Sequence, residues 1–353
     1  MKRIIVAAGG TGGHIIPALA IAKSLQIKGC KTLYIGNKNS LEEKLAQNAG
    51  IEFRAINVQK LYRKFTFQHI KFPFKLIKSI VDSKNIIKNF EPDAVIGTGG
   101  FVSGPVGYAA YKTRTPLFLQ EQNSYPGLTT RLLCKHAKQV FLGSDAAKNY
   151  LMNSNTIFSG NPINNQPQGE KLDLTKYGFR SGSTKLLLLG GSQGSLALNR
   201  ALYPILDQLY QSNIDLIWQI GKYSYKEFSE KIQNKPGIYG FDFTNQINSI
   251  YQEADFAIAR GGALSLAELE VNKLPTIIVP LPTSAGNHQH HNALEWQNND
   301  IGILLEQKSL TPNSLLENIL NLQKQISGFK ENFRESIHQN SAEIIANYIM
   351  QNI

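Results

Sequence analysis

One local pattern, written twice, constrains this chain more than any other feature. The apolar run Ile4-Ile5-Val6-Ala7-Ala8 falls directly into Gly9-Gly10-Thr11-Gly12-Gly13, and about 180 residues later Lys185-Leu186-Leu187-Leu188-Leu189 falls into Gly190-Gly191-Ser192-Gln193-Gly194. Each run has the length of a strand buried on both faces, and the glycines at its end let the chain turn tightly into a helix. Further short runs rich in β-branched residues or leucine stand at 32–35, 94–97, 117–120, 216–220, 256–259 and 276–280, with helical patterns between them. Continuous apolar strands separated by helices build parallel sheets covered on both sides. The expected fold class is therefore α/β, with two Rossmann-like domains in tandem, and 353 residues suffice for two such cores. Residues 1–162 are the expected first domain and 163–336 the second, with the stretch 160–183, rich in Gly, Pro, Asn and Ser, as the linker.

Charge narrows what each half meets. Of the formal net charge of +11, residues 1–163 carry 22 Lys/Arg against 8 Asp/Glu, and the remainder 15 against 18. The basic excess lies wholly in the first half and points to an anionic partner there: nucleic acid, anionic lipid headgroups or a phosphorylated substrate. The segment 60–90 interleaves Leu61, Tyr62, Phe65, Phe67, Phe72, Phe74, Leu76 and Ile77 with eight Lys/Arg, Lys71, Lys75 and Lys78 among them, and has Asp82 as its only acid. Aromatic groups among lysines suit peripheral contact with an anionic lipid surface, and a buried amphipathic helix with a solvated basic face gives the same pattern. No nucleic-acid-binding motif accompanies the charge, so nucleic acid is not an expected partner. No apolar stretch reaches the length of a membrane span, and the run after Met1-Lys2-Arg3 meets glycines too soon for a signal peptide. Cys30 and Cys134 make neither a disulfide framework nor a metal-ligand spacing, which fits a reducing cytoplasm.

Both glycine loops offer backbone N–H groups and a helix N-terminus to an anion. Neither is a strict G-x-G-x-x-G, and no acid closes the second strand, where Ile35-Gly36-Asn37-Lys38 stands; this disfavours a nicotinamide cofactor. His14 follows the first loop, placed either to take a proton from a hydroxyl or to pack on the helix behind it. Glu121 and Asn123, in Gln120-Glu121-Gln122-Asn123, leave a strand at the same sheet edge and either orient a hydroxyl or form a turn. In Arg260-Gly261-Gly262-Ala263-Leu264-Ser265-Leu266-Ala267-Glu268 the chain again passes from strand to helix. Ser265 and Glu268 have capping-box spacing. The alternative puts a pyrophosphate at the helix N-terminus, Glu268 on ribose hydroxyls and Arg260 near the diphosphate. Three histidines in Asn287-His288-Gln289-His290-His291-Asn292 suggest a metal, yet neighbours on a helix point apart and no acid or cysteine stands near, so no metal is expected. Gln289 and Asn292, one helical turn apart, suit sugar hydroxyls. The chain contains no Asp-x-Asp, the usual carboxylate clamp for a metal-bound nucleotide diphosphate, which leaves the leaving-group charge to helix N-termini and Arg260.

Taken in order, Gly9-Gly10-Thr11-Gly12-Gly13-His14-Ile15-Ile16-Pro17, Gly97-Thr98-Gly99-Gly100-Phe101-Val102-Ser103-Gly104-Pro105, Gln120 to Asn123, Gly190 to Ser195 and Arg260 to Glu268 resemble the motifs of the MurG family, over nearly the whole chain. That family makes lipid II from lipid I in bacterial cell-wall synthesis. The resemblance implies a GT-B fold whose two domains face a central cleft. Lipid I and the membrane belong to the first domain, UDP-N-acetylglucosamine to the second, and the last helix, about 337–353, crosses back. It implies attack of the muramyl C4 hydroxyl on the donor's anomeric carbon with inversion, His14 as base, and Glu121 and Asn123 beside the acceptor. Thr11, Gly12, Gly13 and Asn123 would also reach the donor. Ser192, Gln193 and Gly194 would meet its diphosphate with Asn199 nearby, together with Arg260, Ala263, Leu264 and Ser265. Glu268 would hold the ribose, Gln289 and Asn292 the transferred sugar, and Phe243 and Thr244 the uracil. Also implied are a peripheral place on the cytoplasmic face of the inner membrane, no tightly bound cofactor, and cell-wall synthesis proteins as further partners. The chain departs from the family at Phe101, commonly tyrosine, at Asn164, where arginine is expected, and at His288, glutamine in some members.

Two rivals share features with this expectation. A diacylglycerol glycosyltransferase has the same fold and donor class, but the His14 loop and residues 120–123 favour the pyrophosphate-linked acceptor. A non-catalytic nucleotide-sugar-binding membrane scaffold would be expected to lack His14 or Glu268, and both are present.

Overall fold

The computed structural model describes residues 1–59, 68–163, 172–191, 193–244 and 246–353. Phe65, Phe67, Asn164 and Ser192, singled out above, lie outside the described residues, and of Lys71 only the backbone is described. The chain divides into two compact units, Met1–Asn164 with Ile337–Ile353, and Asn165–Ser336. The first unit runs β1 (Arg3–Ala7), α1 (Gly12–Ile27), β2 (Lys31–Asn37), α2 (Leu41–Asn48), β3 (Glu52–Ile56), α3 (Gln68–Phe90), β4 (Ala94–Gly97), α4 (Gly100–Lys112), β5 (Leu117–Glu121), α5 (Leu128–Leu133), β6 (Gln139–Leu142) and β7 (Thr156–Phe158). The second runs β8 (Thr184–Leu189), α6 (Leu196–Leu202), α7 (Leu206–Gln211), β9 (Ile214–Gln219), α8 (Tyr225–Ile232), β10 (Ile238–Phe241), α9 (Ile247–Glu253), β11 (Phe256–Ala259), α10 (Ala263–Val271), β12 (Thr276–Ile278), α11 (His288–Asn298), β13 (Gly302–Leu304) and α12 (Pro312–Glu331). A last helix, α13 (Ser341–Gln351), belongs to the first unit.

Both sheets are parallel throughout, in the orders β3-β2-β1-β4-β5-β6-β7 and β10-β9-β8-β11-β12-β13. The opening strand of each unit is flanked by its second and fourth, so the strand order reverses beside β1 and beside β8. Open α/β sheets bind ligands at the carboxyl ends of the strands at such a reversal. The glycine loops stand there because each follows the central strand.

Alternation within the strands divides each core in two. Ile5 and Ala7 of β1 join Leu33, Ile35, Val95, Val102 and Val106 on one face, while Ile4 and Val6 join Tyr34, Ile96, Phe118 and Phe141 on the other. That second face is closed by α1 and by α13, whose Ile345, Ala346 and Ile349 are fully buried beside Ala18 and Ile21. The Lys2 ammonium donates to the Met350 and Ile353 carbonyls at 2.9 and 2.7 Å, tying down the end of that helix. In the second unit Trp218 of β9 is fully buried; truncating such a residue costs about 3–5 kcal/mol.

Two close approaches require glycine. A Cβ on Gly100, whose φ is +75°, would lie 1.9 Å from the Gly9 carbonyl oxygen, so the ends of β1 and β4 can touch only without a side chain there. In the second unit a Cβ on Gly221 would lie 2.2 Å from Gly194 Cα, pressing the ends of β8 and β9 together in the same way. Among the described residues no helix is long and apolar enough to cross a membrane.

Candidate active site

At the carboxyl edge of the first sheet, His14 sits in the first turn of α1, behind the Thr11 N-cap, whose side chain makes no capping bond. Its ring nitrogen Nδ1 lies 2.9 Å from Gln122 Oε1, and its carbonyl accepts a hydrogen bond from Thr98 Oγ1 at 2.8 Å. Residue 99 must be small for the ring to stand there, because a Cβ on Gly99 would come within 2.7 Å of Nδ1. Phe101 packs under the first loop, its Cε1 3.2 Å from the place of a Cβ on Gly10.

Glu121 departs from the expected role beside an acceptor. It is buried, and its oxygens accept from the Asn123 N–H at 3.1 Å, Asn123 Nδ2 at 3.0 Å, the Gly127 N–H at 3.0 Å and Thr130 Oγ1 at 2.6 Å. Four donors fill its acceptor positions, so it shapes the turn after β5 and holds the Asn123 side chain. The glutamines either side of it, which the sequence presented only as part of a motif, form the inner network of this edge.

In the second unit the chain leaves β11 at Arg260 and enters α10 through Gly262, the N-cap, with no side-chain cap. Ser265 is therefore the third residue of the helix, and the capping-box alternative is excluded: Ser265 and Glu268 lie one turn apart on the body of α10. Arg260 donates from Nη1 to the Val279 carbonyl at 2.9 Å and from Nη2 to Ser195 Oγ at 2.7 Å, all neutral partners. Burial lowers its pKa to about 10, still well above neutrality. A partly buried guanidinium without a carboxylate partner among the described residues, beside a helix N-terminus, is a ready anion site. Glu268 is pushed up to about 7 by burial, opposed by the Tyr251 hydroxyl, which donates to Oε2 at 2.7 Å. Tyr251, like Ser195, carried no sequence signal of its own.

The other expected donor residues divide into those that offer polar atoms and those that spend them. Asn199 is fully buried; its Nδ2 donates to the Ile220 carbonyl at 2.9 Å and its Oδ1 accepts from Trp218 Nε1 at 3.0 Å. Its side chain braces the end of β9, with both amide atoms engaged inside the fold rather than left open beside the diphosphate as expected. Asn292 is also buried, donating to the Gly261 carbonyl at 3.0 Å. Gln289 accepts from the Leu281 N–H at 2.9 Å through Oε1, leaving its amide nitrogen available. Gln193 is exposed in the turn before α6 and Gly194 stands at its end. Phe243 is half-exposed after β10 with the Lys222 ammonium 5.6 Å from its ring centre, and Thr244 Oγ1 accepts from the Gln246 N–H. Lys222 was legible only as the residue after a glycine.

The histidine run disperses. His288 Nδ1 lies 2.6 Å from the Ala285 carbonyl and His290 Nδ1 2.8 Å from Glu306 Oε1, while burial and the neighbouring His290 lower the His291 pKa. Among the described residues no cluster of three or more His, Cys, Asp or Glu suits a metal. On α3, Phe74, Ile77 and Val81 form an outward apolar stripe, 76%, 61% and 48% exposed, flanked by exposed Lys75 and Lys78, while Phe72 is half-buried.

Tandem parallel α/β units, each with a glycine turn where the strand order reverses, are what GT-B glycosyltransferases are built from. The chain belongs to glycosyltransferase family 28: residues 4–142 match its N-terminal domain and residues 185–348 its C-terminal domain. The UDP-N-acetylglucosamine--N-acetylmuramyl-(pentapeptide) pyrophosphoryl-undecaprenol N-acetylglucosamine transferase of Bacillus pumilus is 35% identical over 90% of this chain and 89% of that protein. The enzyme of the same name from Flavobacterium psychrophilum is 33% identical over 99% of this chain and 97% of that one. Among solved structures, Acinetobacter baumannii MurG superposes with a TM-score of 0.81 at 27% identity, covering 99% of this chain and all of that one.

Proposed function

We propose that this protein transfers N-acetylglucosamine from UDP-N-acetylglucosamine to the C4 hydroxyl of the muramyl residue of lipid I, with inversion, giving lipid II for peptidoglycan. The observation that carries the proposal is similarity along nearly the full chain to transferases of that named activity. The strand-end chemistry supports it. His14, whose Nε2 has no protein partner among the described residues, takes the proton of the attacking hydroxyl. The new bond forms between that oxygen and the anomeric carbon as the bond from the anomeric carbon to the diphosphate oxygen breaks, and the electron pair leaves with UDP. Arg260 and the N-terminus of α10, with Ala263, Leu264 and Ser265 in its first turn, meet the charge that develops there. Thr11, Gly12 and Gly13 present the opening of α1, and Gln193 and Gly194 lie along the diphosphate.

Ionised Glu268 accepts from the ribose hydroxyls, the Phe243 ring and Thr244 border the uracil, and the Gln289 amide holds the transferred sugar. Asn292 acts through the Gly261 loop it pins. Asn123 faces the acceptor from the turn that Glu121 fixes. The outward stripe of α3, with Lys75 and Lys78, rests on an anionic lipid surface, which makes the protein peripheral on the cytoplasmic face of the inner membrane, within reach of other cell-wall synthesis proteins.

The test is radiolabelled transfer from UDP-N-acetylglucosamine to a lipid I analogue, beside diacylglycerol and a control without acceptor. Label in the lipid I analogue alone is the expected result. Transfer only to diacylglycerol would overturn the acceptor and keep the donor, and no transfer to either would overturn the activity.

A further inference from the structure

Beneath His14 lies a set of side-chain amides whose hydrogen-bond directions can be read without ambiguity, because backbone groups anchor them. Gln122 Nε2 lies 2.7 Å from the Thr98 carbonyl oxygen, an atom that can only accept. The amide nitrogen of Gln122 must therefore point at Thr98; the flipped amide would set two acceptors against each other. The second hydrogen of the same nitrogen goes to Gln120 Oε1. Gln120 Nε2 in turn donates to Asn161 Oδ1 at 3.1 Å, and Asn161 Nδ2 donates to the Gln122 carbonyl at 3.0 Å, a second backbone anchor. The Asn161 N–H then donates to His338 Nδ1 at 2.8 Å. Gln120, Gln122, Asn161 and Thr98 are all at least 97% buried. Buried amides in a closed network are costly to rearrange, since any flip leaves unpaired groups of about 1–3 kcal/mol each.

One atom of this network faces the candidate base. Gln122 Oε1, with both hydrogens of its amide committed elsewhere, is left purely as an acceptor 2.9 Å from His14 Nδ1. The neutral imidazole can satisfy it only by carrying its proton on Nδ1, which leaves the lone pair on Nε2. Gly99, too small to displace the ring, and the Thr98 hydroxyl on the His14 carbonyl hold the residue in that register.

We infer that Gln122 is a positioning residue for the transfer, fixing His14 as the Nδ1–H tautomer with Nε2 as its basic nitrogen, and that Gln120 and Asn161 hold the Gln122 amide in the direction this needs. The inference rests on His14 being the base. It also gives the segment after residue 336 a part in the site, because His338 fixes the backbone of Asn161.

The experiment is nitrogen-15 NMR of the full-length protein labelled at histidine, with the His14 signals identified by their loss in His14→Ala. In the unsubstituted protein the neutral His14 ring is expected with its proton on Nδ1. An Nε2–H ring, or an exchanging mixture of the two, would overturn the inference without any substitution being needed. In Gln122→Met the Nδ1–H form is expected to lose its dominance and kcat to fall about 10- to 100-fold, less than the ~100- to 10,000-fold typical of losing the acid/base group itself, with KM for UDP-N-acetylglucosamine unchanged. A Gln122→Met protein that keeps the tautomer also overturns the inference. Should His14→Ala retain full turnover, the base assignment fails instead, whatever the tautomer.

Discussion

The two strand-end sites share a topology and differ in what they leave unspent. At the end of β1, β4 and β5 the polar side chains are neutral amides that satisfy one another: Gln120, Gln122 and Asn161 are bonded in a ring of fixed direction, and Glu121 is consumed by four donors. His14 Nε2 is left without a protein partner among the described residues. At the end of β8 and β11 the reverse holds. Arg260 and Glu268 are both partly withdrawn from water, have only neutral partners among the described residues, and titrate away from their ordinary values. The first edge spends its polar groups on geometry, and the second keeps a partly buried arginine and glutamate without charged partners among the described residues. On the proposed function, a common fold supports proton transfer at one edge and charge stabilisation at the other by different means.

Separating the two edges by mutation is the most direct way to break this comparison. His14→Ala is expected to lower turnover by roughly 100- to 10,000-fold while calorimetric binding of UDP-N-acetylglucosamine persists; loss of donor binding would place His14 with the wrong ligand. Arg260→Met is expected to do the opposite, weakening UDP binding roughly 10- to 100-fold, the worth of a hydrogen bond to a charged group, while association with lipid vesicles is unchanged. UDP affinity equal to that of the unsubstituted protein would show the guanidinium to be a structural tie only.

The basic excess of the first half sharpens the contrast further. Lys75→Gln with Lys78→Gln should cost about 2 kcal/mol of binding to phosphatidylserine vesicles, roughly 30-fold, at about 1 kcal/mol for each lysine near the surface. Equal sedimentation with the vesicles would remove α3 from the membrane surface. The smallest effect concerns pH. Glu268 titrates at about 7 in the free protein. Ribose hydroxyls donate to its ionised form, so below that pH a proton must be lost before UDP binds. Affinity should therefore be level above about pH 7 and fall by up to about tenfold per unit below it. Tyr251→Phe, by removing the donor that favours ionisation, should move this limb to higher pH. A flat profile from pH 5 to 8 would exclude Glu268 from the ribose.

Short runs rich in apolar residues could be read directly as strands: 94–97 and 256–259 form as expected, and the others expected agree to within a residue or two. The strands at Glu52–Ile56, Gln139–Leu142, Thr156–Phe158, Ile238–Phe241 and Gly302–Leu304 could not. They are three to five residues long, most carry polar groups or glycine, and they owe their pairing to neighbours already in the sheet. Ser265 and Glu268 show the limit of a local motif, since their spacing matches a capping box but the helix begins three residues earlier than that motif requires. Asn199 and Glu121 stand in the positions a ligand contact would take, yet partners contributed by neighbouring strands and turns absorb their polar atoms.

The sequence by itself determined the alternation of apolar strands with helices, the two glycine loops after strands, the one-sided charge, and the set of residues from which the site is drawn. These depend on near neighbours: side-chain period, backbone freedom at glycine, and composition. Tertiary structure alone decided which of those residues remain available to a ligand. Asn161 meets Gln122 from 39 positions away and His338 from 177. Whether a buried amide is spent or free depends on donors and acceptors brought together only when the sheet closes.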